Sequence, residues 1–217
     1  MAEDVPASLG PLLASCRGVI LDVGPGTGVQ LSRFSCPENI TAIYGAEPGV
    51  EMHDALRGNA EKAGLGGKYR ILSCGAQPES LIPALAKEGL LGNADKGLDV
   101  GAFDEVVCIR VLCGVPKLNE TVEGLYRCLK PGGRFVVYEH VINDDSKPGG
   151  WVGRLLQHLY MALGWSFFGG GCELLRDTDA VLMQAAEADG GWAEVKLKKL
   201  DEWSVAPHVI GYFVKRS

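Results

Sequence analysis

Short apolar runs alternate with stretches of helical period along almost the whole chain. Val19-Ile20-Leu21, Ile40 to Ala46, Tyr69 to Ser73, Phe103 to Ile109 and Arg134 to His140 read as strands. Between them, Gly49 to Ala63, Glu79 to Lys87 and Leu118 to Leu129 carry the spacing of helices. The fourth run is continuous in Val, Cys and Ile, as a strand buried on both faces must be. Lys130-Pro131-Gly132-Gly133 closes the third helix, because proline cannot continue it and glycine supplies the reversal. A helix near Thr178 to Ala188 and strands near Glu194 to Leu200 and Val205 to Lys215 complete the series. Strand alternating with helix predicts an α/β fold with a parallel sheet covered on both faces. No repeat or linker interrupts it, so residues 1–217 read as one domain, with a short extension at 1–17 and a polar surface insertion over Gly89 to Gly101.

One segment departs from the alternation. Between Gly149 and Gly171, Trp151, Leu155, Leu156, Leu159, Tyr160 and Leu163 recur at steps of three and four, and Trp165, Phe167 and Phe168 follow. The stripe predicts an apolar helical insertion. Three roles fit it: a helix packed on the core, an apolar wall over a substrate, or a contact with a membrane surface or partner chain. Arg154, Gln157 and His158 lie within it and argue against a transmembrane span.

Charge and cysteine usage narrow the partners. A formal net charge of -6 excludes a nonspecific nucleic-acid binder, which needs a basic surface. Seven cysteines, none in a C-x-x-C pair, give no zinc motif and no metal site. The first residues show neither a basic stretch nor an apolar core of a secretory signal, which predicts a cytoplasmic protein with reduced thiols.

The chemistry is concentrated at strand ends. Asp22-Val23-Gly24-Pro25-Gly26-Thr27-Gly28 leaves the first strand as a tight glycine turn that lets a ligand approach the backbone. Its third glycine comes one residue too early for a dinucleotide fingerprint. Glu47 ends the second strand, 25 residues after Asp22 (47 minus 22), at the edge where open α/β sheets bind ligands. A carboxylate there can accept bonds from both hydroxyls of a ribose. Met52 follows one turn later, within reach of a base.

D-x-G-x-G-x-G resembles the signature of class I S-adenosylmethionine (SAM) methyltransferases, and Leu129-Lys130-Pro131-Gly132-Gly133 resembles their L-[KR]-P-G-G turn. The resemblance runs from about residue 18 onward and implies a Rossmann-like, mostly parallel seven-stranded sheet whose last strand is antiparallel. It implies SAM as cofactor, with Asp22, Gly24, Gly26 and Gly28 at its amino-acid half and Glu47 and Met52 at the ribose and adenine. Gly75 and Ala76 stand beyond the third strand, and Ile109 and Arg110 at the end of the fourth. Where many family members hold the adenine amino group with an acid, this chain has Ser73-Cys74-Gly75-Ala76-Gln77, so backbone groups or the Gln77 amide take that place.

Four further segments resemble the alkyl-thiol S-methyltransferase branch of the type 11 family. They are Val111-Leu112-Cys113-Gly114-Val115, Glu139-His140-Val141, Gly171-Cys172-Glu173-Leu174-Leu175-Arg176 and Trp203 through Pro207-His208 to Tyr212. That branch carries a hydrophobic N-terminal segment that holds it to membranes, whereas only some 18 residues precede the first strand here. Little sequence is then left for an N-terminal lid, and residues 149–171 are the candidate cover. The resemblance implies a methyl acceptor that is small and fairly apolar, a thiol first. Oxygen, nitrogen or carbon acceptors, and a non-catalytic SAM-binding protein of the same fold, are the alternatives. His140, just past the fifth strand, and His208, at the start of the last, are the candidate bases.

Overall fold

The computed structural model describes residues 5–90, 101–202 and 204–217. Seven strands form one sheet: β1 (Gly18–Val23), β2 (Ile40–Ala46), β3 (Tyr69–Leu72), β4 (Phe103–Ile109), β5 (Leu129–His140), β6 (Glu194–Leu200) and β7 (His208–Val214). Their order is β3-β2-β1-β4-β5-β7-β6, with β7 antiparallel to both neighbours and every other pairing parallel. The order reverses between β1 and β4, so the carboxyl ends of those strands form the crevice in which such sheets bind ligands.

Alternation along each strand divides the core. Leu21, Val106 and Val137 face one layer with Leu81, Leu85, Val122 and Leu125. Those four belong to α3 (Pro78–Lys87) and α4 (Leu118–Cys128), and α7 (Thr178–Gln184) joins the layer through Leu182. Ile20, Val107 and Val136 face the other, with Leu9 and Leu13 of α1 (Leu9–Ala14) and Leu56 and Ala60 of α2 (His53–Lys62). Adjacent residues of one strand thus serve opposite layers, which follows from its two-residue period.

Several boundaries differ from the sequence reading. The helix expected from Gly49 opens with a 3-10 turn at Val50–Met52 and becomes α-helical only at His53. The expected Thr178 to Ala188 helix stops at Gln184, with a separate 3-10 turn at Glu187–Asp189. The last strand begins at His208 because Pro207 cannot donate to a ladder. Lys130 to Gly133 is no separate turn: β5 already pairs at Leu129↔Phe103, and these four residues bulge out before pairing resumes at Arg134↔Glu105. The bulge is held by Lys130 Nζ, 2.9 Å from both carboxylate oxygens of Asp104. Of the polar insertion, residues 91–100 lie outside the described residues, as does Trp203.

The apolar insertion folds as α5 (Gly150–Ala162) and the short turn α6 (Trp165–Phe168). Its stripe is not packed on the core. Trp151, Leu155, Leu159, Leu163, Phe167 and Phe168 are exposed, Phe167 to 85% and Phe168 to 81%. The helix is tethered through Gln157, fully buried, whose Oε1 accepts from Asn143 N at 2.9 Å. Among the described residues no helix is long and apolar enough to cross a membrane.

Candidate active site

The glycine loop after β1 turns with three left-handed residues, Gly24 (φ 61°), Gly26 (58°) and Gly28 (77°), which side chains seldom tolerate. A side chain at Gly24 would strike Val111, and one at Gly28 would strike Leu56 and Leu31. Gly26 differs: a Cβ there would meet only Met52 Sδ, at 3.8 Å. Gly24 and Gly28 let the protein pack, whereas Gly26 keeps the concave side of the loop clear.

Glu47 governs that loop. It is 6% exposed, and its Oε2 accepts from Gly26 N at 2.8 Å while Oε1 accepts from Gly49 N at 2.8 Å. Each oxygen keeps a lone pair for a further donor. His53 Nε2 lies 3.0 Å from the Glu47 carbonyl and fixes the backbone behind the carboxylate. Asp22 stands beside it on β1, accepting from Tyr69 OH at 2.8 Å. Burial raises Asp22 to about 6, against the lowering effect of that hydrogen bond, and the Glu47 charge adds to the rise. Tyr69 passes over Gly45 to reach it, and a side chain at 45 would run into the phenol ring.

A shallow cleft opens on this loop, lined among others by Asp22, Gly24, Gly28, Ile109, Leu13 and Phe34. Leu13 belongs to α1, so the N-terminal segment supplies one wall of the cleft. Beyond β3, Gly75 N is engaged by Ser80 Oγ at 3.0 Å, Ala76 is buried and the Gln77 side chain folds against Gly75. Arg110, just past β4, has a left-handed conformation (φ 56°) with its amide donating to Tyr138 O, and its side chain is exposed.

A second group of side chains lies at the carboxyl ends of β4 and β5. Glu139 is fully buried, and its Oε1 accepts from Val111 N at 2.9 Å and Leu112 N at 3.1 Å. It is therefore the anchor of the loop after β4. Burial pushes its carboxyl up to about 7, against three backbone hydrogen bonds. His140 is 3% exposed and meets His208 edge to face, with ring centroids 5.9 Å apart. The two pair directly across β5 and β7, and His208 stacks on Tyr138 at 4.9 Å. Burial, helped by His140 and Arg110, lowers His208 to about 4, so it is neutral at physiological pH.

Six buried side-chain polar atoms among the described residues lack a hydrogen-bond partner of ordinary geometry. Five belong to this corner: Glu139 Oε2, both ring nitrogens of His140, Trp165 Nε1 and His208 Nδ1. Buried polar groups are normally satisfied, so such a concentration marks a place built to receive a polar atom. Cys172 lies nearby, with Cys113, His140 and Trp165 each influencing its thiol.

The structure thus brings Asp22, Gly24, Gly26, Gly28, Glu47, Met52 and Ile109 together, and joins His140 to His208 in a separate cluster. Glu139, Tyr69, Trp165 and Cys172 were not read as site residues from the sequence, although Glu139 and Cys172 fall in the segments that carry the resemblance. Their signals are faint: an acid in an otherwise apolar strand at 139, and a glycine at 45 opposite an aromatic strand residue.

A family model described as "Methyltransferase domain" matches residues 21–137. Thiol S-methyltransferase TMT1B of Rattus norvegicus is 29% identical over 199 residues, which are 90% of this chain and 70% of that protein. Thiol S-methyltransferase TMT1A of Homo sapiens is 31% identical over 200 residues, with the same shares. An O-methyltransferase family protein from Burkholderia thailandensis shares the fold with a TM-score of 0.58 at 14% identity, over 97% of this chain and 54% of that one.

Proposed function

This chain belongs to the class I SAM-dependent methyltransferases, and we propose that it methylates the sulfur of a small, apolar thiol. The glycine loop and Glu47 fit the cofactor: the Gly26 side is clear, and Glu47 retains acceptor capacity after holding two loop amides. In this reading Glu47 binds the ribose hydroxyls and Met52 borders the adenine beside Gly75, Ala76 and Gln77. Asp22, Gly24, Gly28 and Ile109 line the amino-acid half. When bound, SAM supplies an activated methyl group on a sulfonium that leaves as a neutral thioether.

The chain's remaining task is to align a nucleophile at about 3 Å and exclude water. The observation that carries the thiol reading is the polar corner around His140. Among the described residues no side chain is hydrogen-bonded to its ring nitrogens at ordinary geometry, which leaves them for a ligand, and His208 beside it is held neutral. A thiol, with a free pKa of about 8.5, is already partly ionised near neutrality and needs only a site for its proton. A ring nitrogen of His140 provides that site. The curated relatives named above are thiol S-methyltransferases, in agreement with this reading.

The test is methyl transfer from labelled SAM to an alkyl thiol, an aryl thiol, a phenol and an amine, run on wild type and His140→Asn. Product is expected on the thiols alone. The variant is expected to lose about tenfold or more near pH 6.5 and to recover as pH rises and the thiol ionises unaided. Product on phenol or amine overturns the acceptor, and an unchanged pH profile removes His140 from proton transfer.

The exposed α5–α6 face is read as a docking surface for a lipid bilayer, from which an apolar acceptor would be drawn. Its bordering cations, Lys147 and Arg154, are paired with Glu202 and Asp145, so the apolar side chains are what it offers. An apolar helix face with aromatic ends lies well in a lipid interface. The protein is expected to co-sediment with phosphatidylcholine vesicles, and Phe167→Asp/Phe168→Asp to remain in the supernatant with SAM binding intact. Equal sedimentation of both proteins would exclude the face as the contact.

A further inference from the structure

Two cysteines meet where the segment after α6 returns to the sheet. Glu173 N donates to Cys113 O at 3.0 Å, so the backbones of 113 and 172–173 run side by side. That backbone contact brings the Cys113 and Cys172 side chains within interaction range of one another. Cys113 is 7% exposed and Cys172 is only partly buried, so a small reagent reaches the second before the first. The His140 ring and Trp165 Nε1 stand nearby and favour negative charge on the Cys172 sulfur. A thiolate is the reactive form of cysteine.

These contacts push the Cys172 thiol well below the usual cysteine range, Cys113 contributing most, and push Cys113 well above it. The other cysteines show no such arrangement. Burial raises Cys16, Cys74, Cys108 and Cys128, which leaves them protonated, and Cys36 is half-buried on a loop.

We propose that Cys172 is a peroxide-reactive thiol and Cys113 its resolving partner, the two forming a reversible intrachain disulfide. The Cys172 thiolate attacks one oxygen of hydrogen peroxide, breaking the O–O bond to give a sulfenic acid and hydroxide, which takes up a proton as water. The Cys113 sulfur then attacks the sulfenic sulfur, forming S–S and releasing a second water, so the two thiols are oxidised as one peroxide is reduced. Both segments lie outside the strands, where the small adjustment a disulfide requires is accommodated. The bond would pin residues 171–173 to the loop anchored by Glu139. The inference is independent of the acceptor, since its readout is covalent.

Native full-length protein is treated with a few equivalents of hydrogen peroxide, blocked with N-ethylmaleimide, digested and weighed. The expected product is lighter by two hydrogens, contains one peptide pair joining Cys113 to Cys172, and reverts with dithiothreitol. Without peroxide at pH 6, Cys172 is expected to take maleimide about tenfold faster than Cys36, a comparison internal to the wild-type chain. Cys113→Ser is expected to stop the chain at a trappable sulfenic acid on Cys172. A bridge between other cysteines, no bridge at all, or Cys172 reacting no faster than Cys36 overturns the proposal.

Discussion

Glu47→Ala is expected to weaken SAM binding by a factor of 100 or more, the largest effect of any single change at the donor site. In the proposed arrangement the carboxylate accepts two ribose hydroxyls, and hydrogen bonds to a charged group contribute about 1.5–3 kcal/mol each. Two such bonds correspond to roughly 100- to 10,000-fold in affinity. The same carboxylate also holds Gly26 N and Gly49 N at 2.8 Å, so its loss removes the ligand contact and releases the loop that presents it. The folded state pays for this too. Leaving two amides without their partner costs about 1–3 kcal/mol apiece where water cannot replace it, and the melting temperature should fall by several degrees. Titration calorimetry on the folded variant is the measurement, and an affinity within threefold of wild type would end the ribose assignment. Gly26→Ala is the companion test. Its Cβ would meet no protein atom closer than 3.8 Å, so the damage should fall on binding, with only the strain of a left-handed alanine, about 1–2 kcal/mol, charged to stability.

What could be read from the sequence follows from how local each feature is. The loop from Asp22 to Gly28 and the acid at 47 were legible because a backbone that must turn with φ near 60° needs glycine, and a ligand at a strand end needs a fixed acid. The run from Val106 to Ile109 in β4 was legible because that part of the strand is covered on both faces and is apolar, whereas Asp104 and Glu105 before it are held by Lys130 and Arg134. Glu139 was hidden because its partners, Val111 N and Leu112 N, are 28 and 27 residues away, across a strand pair. The pairing of His140 with His208 was hidden likewise: it is set by the β5–β7 register over 68 residues (208 minus 140). The stripe on α5 shows a different limit. Period 3.6 predicted the helix and its apolar face correctly, but periodicity records only that a face is apolar and not what lies against it.

The second large effect concerns Glu139, which is expected to make the protein less stable at pH 7.5 than at pH 5. Its pKa rises from 4.5 to about 7 on folding, so between those values the folded chain binds a proton the unfolded chain has released. The contribution is full below about pH 4.5 and is lost as pH rises through 7. Asp22, raised to about 6, acts in the same sense over a lower window. His208, lowered to about 4, opposes both, because its neutral form is favoured and its contribution is lost as pH falls, but partial exposure screens it. A variant isolates the Glu139 share. Glutamine can still accept from Val111 N and Leu112 N without a charge to bury, so Glu139→Gln should match wild type at pH 5 and exceed it at pH 7.5. The gain is on the order of 2 kcal/mol, discounted from the full shift for an imperfect fit of the added NH2 group. Alanine has no acceptor, and Glu139→Ala should lose about 3–5 kcal/mol at pH 5, since it leaves two buried amides orphaned and a void beside them, and about 2 kcal/mol less than that at pH 7.5, where wild type has itself weakened. Urea unfolding at the two pH values separates these cases. A glutamine variant that weakens from pH 5 to 7.5 as steeply as wild type would show that the loop after β4 is held by a carboxylate that ionises freely, and that the pH response originates elsewhere.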